Sequence, residues 1–257
     1  MSGTAGNYVL RTHALVKRFG GITATNQVSL DIAKGARHAL IGPNGAGKTT
    51  LINQLTGVMP PTSGRVELLG RDVTDLAPHK RVGLGLVRTF QINQLFATLT
   101  PLQSLALAVS SRVGVAHRWW RPVGSDVVVA AECDSLLTRF RLQEHAERPT
   151  KELPYGKRRL LEIALAVAHK PSVLLLDEPA AGVPASERAD ILATVAALPA
   201  DVSVVLIEHD MDLVFSFATR ITVLVNGTVL TEGSPREIAA DPQVRAVYLG
   251  ETALTHG

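Results

Sequence analysis

The 257-residue chain has a single cysteine, Cys133. A lone thiol excludes an internal disulfide and any metal cluster built on several cysteines, and it fits a reducing compartment. No run of about 18 apolar residues occurs, so no membrane-spanning helix is expected and any membrane role is peripheral. The opening residues MSGTAGNYVLRTHALVKRF lack the apolar stretch of a secretory signal, so none is expected. Charge of one sign is scarce too: 26 basic against 23 acidic side chains leave +3. That excess is too small to argue for nucleic acid as a partner. There are no internal repeats or low-complexity tracts. What remains is an ordinary globular mixture, 46% apolar and 19% charged, long enough for one large or two small domains.

Hydrophobic periodicity divides the chain into three textures. The first 40 residues read as strands, and a turn and strand follow a glycine-rich loop and a helix. NQVSLDIAKG alternates and stops at Gly35, ARHALIG is a short apolar strand, and PTSGRVELLGRDV reads as a turn and a strand. From about Arg88 to Lys170 the strand patterns give way to helical ones: TPLQSLALAVSS, VVVAAECDSLLTRFRL and KRRLLEIALAVAH. Thr100 and Pro101 are an N-cap and first-turn pair. Leu160, Ile163, Ala164 and Val167 form one apolar stripe, which Lys170-Pro171 ends. The alternating α/β texture then returns. PSVLLLDEP and VSVVLIEHD are continuous apolar runs of the kind found in central parallel strands, and ERADILATVAAL is a helix. ITVLVNGTVLTEG is a hairpin around Asn226-Gly227, and Ser234, Pro235 and Glu237 form a capping box. The expected fold is α/β, with an N-terminal antiparallel β region, a mixed or parallel sheet and an inserted helical subdomain.

GPNGAGKT, residues 42–49, matches G-x-x-x-x-G-K-[ST] and lies between a predicted strand and the helix KTTLINQLTGV, which Gly57 closes. Glycines let such a loop turn several N–H groups toward one anion, and the helix N-terminus adds partial positive charge. Lys48 would reach the β and γ phosphates and Thr49 would offer a hydroxyl to Mg²⁺. VLLLDEP places Asp177 at a strand tip, positioned to support the metal through water, and Glu178 next to it, positioned to polarise an attacking water. His209 follows the other buried strand at the same kind of tip.

GPNGAGKTT, RTFQ, LPYGK, VLLLDEP and the histidine of VVLIEHD stand in the order and spacing of ABC-type ATPase subunits, a resemblance that covers essentially the whole chain. FGGITATNQVSL, PTSGRVELLG, LPYG, DEPAAGV and VYLGE resemble most the ATP-binding subunits of branched-chain (hydrophobic) amino-acid importers. The resemblance implies one nucleotide-binding domain with a P-loop core at 7–90 and 168–257 and a helical subdomain at 91–167. It implies that Gly42, Pro43, Asn44, Gly45, Ala46, Gly47, Lys48, Thr49 and Thr50 surround the phosphates of ATP. Thr49, Gln91 and Asp177 serve Mg²⁺; Glu178, His209 and Gln91 serve hydrolysis. Phe19 either stacks on adenine or is a strand-end core residue. Pro154, Tyr155 and Gly156 belong to the signature segment that meets ATP held by a second subunit.

Implied partners are ATP, a second ATP-binding subunit (identical or different), integral membrane permeases and, through them, an external solute-binding protein. The implied location is the cytoplasmic face of the membrane. The chain departs from the family pattern at Pro154, which lacks the usual serine hydroxyl, and at Pro184, which stands where an aspartate is usual. These keep open a hydrolysis-impaired regulatory partner. A non-transport ABC ATPase is the other alternative, although such proteins usually carry large insertions or two tandem units. Lys157 either adds positive potential near nucleotide or faces solvent. The Trp- and Arg-rich segment 111–125 either docks on a permease or headgroups or packs as an insertion. The transported solute is not written in this sequence.

Overall fold

The computed structural model describes residues 8–89, 95–114 and 126–254, the last six as backbone alone. Two compact units are present: Met1–Leu86 with Ser172–Glu178 and Pro199–Gly257, and Val87–Pro171 with Pro179–Leu198. The first unit opens with β1 (Tyr8–Phe19), β2 (Ile22–Ala33), β3 (Arg37–Ile41), α1 (Lys48–Thr56), β4 (Ser63–Leu68), β5 (Arg71–Asp72) and α2 (Pro78–Gly83). The chain leaves it along β6 (Leu86–Arg88). The second unit then takes α3 (Pro101–Arg112), α4 (Val127–Arg139) and α5 (Tyr155–Ala168). After β7 (Val173–Asp177) in the first unit and α6 (Ala185–Ala196) in the second, the rest belongs to the first. It comprises β8 (Ser203–Ile207), α7 (Met211–Phe217), β9 (Arg220–Val225), β10 (Thr228–Gly233), α8 (Pro235–Ala240) and α9 (Pro242–Leu254).

Two sheets build the first unit. One is antiparallel, in the order β2-β1-β4-β5. The other runs β10-β9-β3-β8-β7-β6. Within it β9, β3, β8 and β7 are parallel, and β10 turns back antiparallel to β9 through Asn226-Gly227. Both turn residues have positive φ, 48 and 76, as a tight two-residue hairpin requires. Every residue of β7 and β8 is buried, the pattern of strands covered on both faces. Asp177 pairs with Ile207 and Leu40 pairs with the same residue, so β3, β8 and β7 end together at one edge.

In the second unit three helices meet at Arg112. Its Nε donates to the Ala168 carbonyl at the end of α5 at 2.7 Å, and its Nη2 contacts Glu132 of α4 at 2.5 Å. Thr100 and Gln103 form a reciprocal capping box at the start of α3. The α5 stripe Leu160, Ile163, Ala164 and Val167 is buried. Among the described residues no helix is long and apolar enough to cross a membrane.

Two basic side chains of the first unit, Arg81 and His38, are almost fully buried, and periodicity gives no sign of either. Arg81 of α2 is 1% exposed. Its guanidinium donates to the carbonyls of Gln54 and Leu55 at 2.8 and 2.6 Å, and to those of Leu76 and Thr74 at 2.9 and 2.7 Å. The first two are carbonyls at the C-terminal end of α1, where a helix leaves acceptors unmatched and a cation is favoured. His38 of β3 is also 1% exposed, with Nε2 2.8 Å from the Thr222 hydroxyl. Burial is the main cause that pushes its pKa down to about 4, helped by nearby Arg220 and opposed by Glu232.

Arg81→Met should cost about 3 kcal/mol or more in urea denaturation, because it strands four carbonyls that a charged donor now serves. Acid should weaken the fold through His38. The unfolded chain accepts this proton near pH 6.5 while the folded chain refuses it down to about pH 4, so stability falls as pH drops through that window. Between pH 7 and pH 5 the wild type should lose about 2 kcal/mol more than His38→Asn.

Candidate functional site

The loop that follows β3 is shaped by backbone contact. Gly42 and Gly47 have φ of 153 and 98. A Cβ at Gly42 would strike the Leu224 carbonyl of β9, and one at Gly47 would strike the Ala24 carbonyl of β2. Only glycine fits at either place. The hairpin turn also holds the loop, since the Gly227 N–H donates to the Ala46 carbonyl at 2.9 Å and the Asn26 N–H to the Gly227 carbonyl at 2.7 Å. Asn26 and Gly227 are braces that motif reading misses, because they are far apart in sequence and act through main-chain atoms. The only available signal was Asn226-Gly227, legible as a turn but not as a contact.

The loop opens α1 at Lys48. Gly47 is the N-cap and supplies no side-chain acceptor, and the first turn carries no acid, so its positive end is left for an outside anion. The Lys48 ammonium folds back on the loop, donating to the carbonyls of Gly42 at 2.5 Å and Pro43 at 3.0 Å. Pro43, Asn44, Gly45 and Ala46 form the rest of the turn; Thr49 and Thr50 lie in the first turn of α1. These features fit a phosphate chain: a cradle of main-chain N–H groups, a cation in reach and no acid in the first turn of α1.

Along the same sheet edge, β7 ends at Asp177, 7% exposed. Glu178 follows in a left-handed conformation, φ 45, with its N–H donating to the Ile207 carbonyl at 2.9 Å. That uncommon backbone turns the side chain away from the line of the strand. Its Oε1 lies 3.7 Å from His209 Nδ1, so the structure brings together two residues that sequence reading set separately at strand tips. Sequence reading misses Glu208, which is 2% exposed, accepts the His209 N–H at 3.2 Å and stands 3.7 Å from the His209 ring. Two carboxylates thus flank one imidazole that is itself 70% exposed. Among the described residues no group of three His, Cys, Asp or Glu side chains could hold a metal ion. A cation at this edge would instead draw on the Thr49 hydroxyl and the Asp177 carboxylate. Phe19, at the β1 end of the hairpin leading into β2, is 46% exposed, with the Lys17 ammonium 5.4 Å from the ring centroid. It is therefore no core residue. Gln91 and residues 115–125 lie outside the described residues.

The LPYGK segment belongs to the second unit. Sequence reading sets Gly156 ahead of the helix, but α5 starts at Tyr155, so Gly156 sits inside the first turn. Pro154, the N-cap, adopts the extended conformation its ring favours, φ −54 and ψ 151, and makes no side-chain cap bond. The Tyr155 hydroxyl donates to the Ala181 carbonyl at 3.2 Å. A Cβ on Gly156 would meet the Glu187 carboxylate of α6. Lys157 is half-buried, and its ammonium donates to the Arg141 carbonyl at 3.0 Å in an exposed bond.

Comparison with known proteins agrees with this geometry. Residues 25–181 match the profile of the family described as ABC transporter. Residues 228–253 match that of the branched-chain amino acid ATP-binding cassette transporter. The chain is 39% identical to BraF of Pseudomonas aeruginosa, a high-affinity branched-chain amino acid transport ATP-binding protein, over 95% of this chain and 98% of that one. It is 37% identical to LivG of Escherichia coli K12, which carries the same description, again over 95% and 98%. Among solved structures, the ADP conformation of MJ1267, an ATP-binding cassette of an ABC transporter, superposes with a TM-score of 0.83 at 31% identity. That match covers 95% of this chain and 99% of the other. A nucleotide-free ATP-binding cassette from an ABC transporter gives 0.81 at 30% identity, covering 94% and 98%. A loop built to take phosphates, with two acids and a histidine gathered at the same sheet edge, is what such matches along the whole chain would require, and the chain belongs to the ABC transporter family as one of its ATP-binding proteins.

Proposed function

We propose that this chain is the ATP-hydrolysing motor subunit of an importer for branched-chain or other hydrophobic amino acids. The observation that carries the reading is the shared sheet edge. The Lys48 loop, Asp177 and the Glu178–His209 pair stand at the ends of three neighbouring parallel strands. The descriptions of BraF and LivG support the transported class. In this reading the protein is one nucleotide-binding domain, with a core at 7–90 and 168–257 and a helical subdomain at 91–167.

Each residue then has a role set by its chemistry. Lys48 exchanges the carbonyls of Gly42 and Pro43 for phosphate oxygens, trading neutral acceptors for charged ones that bind about twice as strongly. Backbone N–H groups of residues 42–50 orient the chain of phosphates, and Phe19 offers its open ring to adenine. Thr49, Asp177 and Gln91 would hold Mg²⁺, which supplies charge neutralisation on the phosphates when bound. Glu178 orients the attacking water and accepts its proton. His209, within 3.7 Å of Glu178, fixes the position of that carboxylate and responds to the γ-phosphate.

Pro154, Tyr155 and Gly156 present the start of α5 to the ATP of a second subunit, identical or different. Pro154 gives up one hydroxyl contact there, and the helix terminus remains. Further partners in this reading are the integral membrane permeases and, through them, an external solute-binding protein. The chain sits peripherally on the cytoplasmic face, with no nucleic-acid partner.

Glu178→Gln should bind ATP within about threefold of wild type, while steady-state hydrolysis falls at least about 100-fold, the usual scale for removing a general base. Phosphate release at near wild-type rate would remove Glu178 from the role. Lys48→Ala should weaken ATP about tenfold or more in equilibrium titration, in line with the loss of a charge-assisted contact. An unchanged dissociation constant would remove the loop from the reading.

A further inference from the structure

Arg159 of α5 is 4% exposed, a charged group in the interior of the second unit. Its Nε donates to the carbonyl of Pro179, itself buried, at 3.0 Å. Its Nη1 donates to Glu162 Oε2 at 2.7 Å, one turn further along α5, and only 10% of the Glu162 side chain is exposed. Neither residue belongs to the phosphate loop or to the acids at the sheet edge.

An enclosed ion pair of this kind seldom adds stability over apolar side chains of similar volume, because desolvation offsets the attraction. What arginine supplies that methionine would not is direction. The guanidinium is a rigid plane, so Nε and Nη1 fix the angle between the Pro179 carbonyl and the Glu162 carboxylate. Glu162 lies on the same helix, and the Pro179 carbonyl is thereby tied to α5.

Pro179 is the residue after Glu178, and the chain crosses from the first unit to the second at the bond between them. On the first-unit side, the Glu178 N–H is held by the Ile207 carbonyl at 2.9 Å. On the second-unit side, the Pro179 carbonyl is held by Arg159. Glu178 stands between these two holds with its left-handed φ of 45. Such a conformation lies on the order of 1–3 kcal/mol above the common ones and needs its surroundings to keep it. The proline makes the second hold effective. Its ring locks φ, so a single free torsion separates its carbonyl from the planar peptide it shares with Glu178. A carbonyl fixed at Pro179 leaves the C-terminal side of Glu178 little freedom to turn.

We propose that Arg159 is a positioning residue for hydrolysis: through the Pro179 carbonyl it holds the Glu178 backbone in the left-handed conformation that sets the carboxylate beside His209. The proposal rests on the reading of Glu178 as the residue that orients the attacking water.

The test is steady-state ATP hydrolysis by the full chain, wild type against Arg159→Met/Glu162→Leu, which removes both charges together and strands neither. kcat should fall at least about tenfold, the scale of a catalytic group displaced by less than about 1 Å, while KM for ATP stays within about threefold. The same two changes made on Glu178→Gln should slow its residual turnover less than about twofold, because the residue they act through is already disabled. Equal losses in both backgrounds would overturn the proposal, since Arg159 would then act on packing independently of Glu178. Wild-type kcat in the paired variant would overturn it too, as would a raised KM with kcat preserved. Should the paired variant fail to fold, Arg159→Lys decides. It keeps a charge beside Glu162 but gives up the planar fork, so kcat should again fall at least about fivefold at unchanged KM, and a wild-type kcat there would overturn the proposal. Glu178→Gln hydrolysing at near wild-type rate would refute the reading of Glu178 and this proposal with it. A slow Glu178→Gln beside unaffected Arg159 variants would refute this proposal alone.

Discussion

The carbonyl of Ala24 stands where a side chain at Gly47 would have to go, and the carbonyl of Leu224 does the same at Gly42. Main chain from β2 and β9 therefore presses directly on the phosphate loop. The loop owes its curl to this pressure as much as to its own glycines. The hairpin adds Gly227, bonded to Ala46 on one side and Asn26 on the other. From the far end, Arg81 gathers the last carbonyls of α1 together with those of Thr74 and Leu76. A helix fixed at its C-terminal end and a loop pressed from two sides leave the free N–H groups at the start of α1 a single direction to face. Preorganised donors of this kind need no rearrangement when charge arrives, which is where electrostatic catalysis draws its strength.

The parts of this arrangement that could be read in the chain are those in which one residue's neighbours in sequence are also its partners in space. The GPNGAGKT loop, the tight Asn226-Gly227 turn, the capping boxes at Thr100 and Ser234 and the buried runs of β7 and β8 are all of that kind. Glu178 and His209 were legible one at a time, each at a strand tip. Parallel strands place their C-terminal ends on one edge, which is why the fold brings the two together. Arg81 and His38 were illegible because a basic residue in a mixed segment reads as surface until its acceptors are known. Their acceptors are carbonyls and a hydroxyl contributed by segments 5 to 184 residues away. The bracing of Gly47 by Ala24 involves no side chain at all on the Ala24 partner, so residue type carries no trace of it.

Charge at the sheet edge is arranged in opposition. Lys48 and the start of α1 are positive, and Asp177, Glu178 and Glu208 bring three carboxylates to the ends of β7 and β8. Glu208 is almost fully enclosed and Glu178 is about one quarter exposed, yet both stand 3.7 Å from the same imidazole. The enclosed carboxylate accepts the His209 backbone N–H at 3.2 Å, while the ring itself stays largely exposed. The left-handed backbone at Glu178 belongs to the same logic. Residues held in sparsely populated conformations cost on the order of 1–3 kcal/mol and persist where the surroundings fix them, here through the bond to the Ile207 carbonyl.

The LPYGK segment shows how a missing side chain is absorbed. Pro154 offers neither a hydroxyl nor an N–H, and the helix behind it starts without a side-chain cap. Its neighbours bind the segment to α6 and the loop before it instead. Tyr155 reaches the Ala181 carbonyl, Arg159 donates to the Pro179 carbonyl at 3.0 Å, and the Glu187 carboxylate lies against Gly156. A carboxylate at the first turn of a helix is favourably placed against its dipole. The positive end of α5 is thus not bare: it is already faced by an anion from its own unit. An incoming phosphate at that end would share the position with Glu187 or displace it. Pro154 takes a hydroxyl away from this segment while Glu187 sets an anion beside the same helix terminus, so the charge at the start of α5 is decided by a residue of α6 and not by the N-cap.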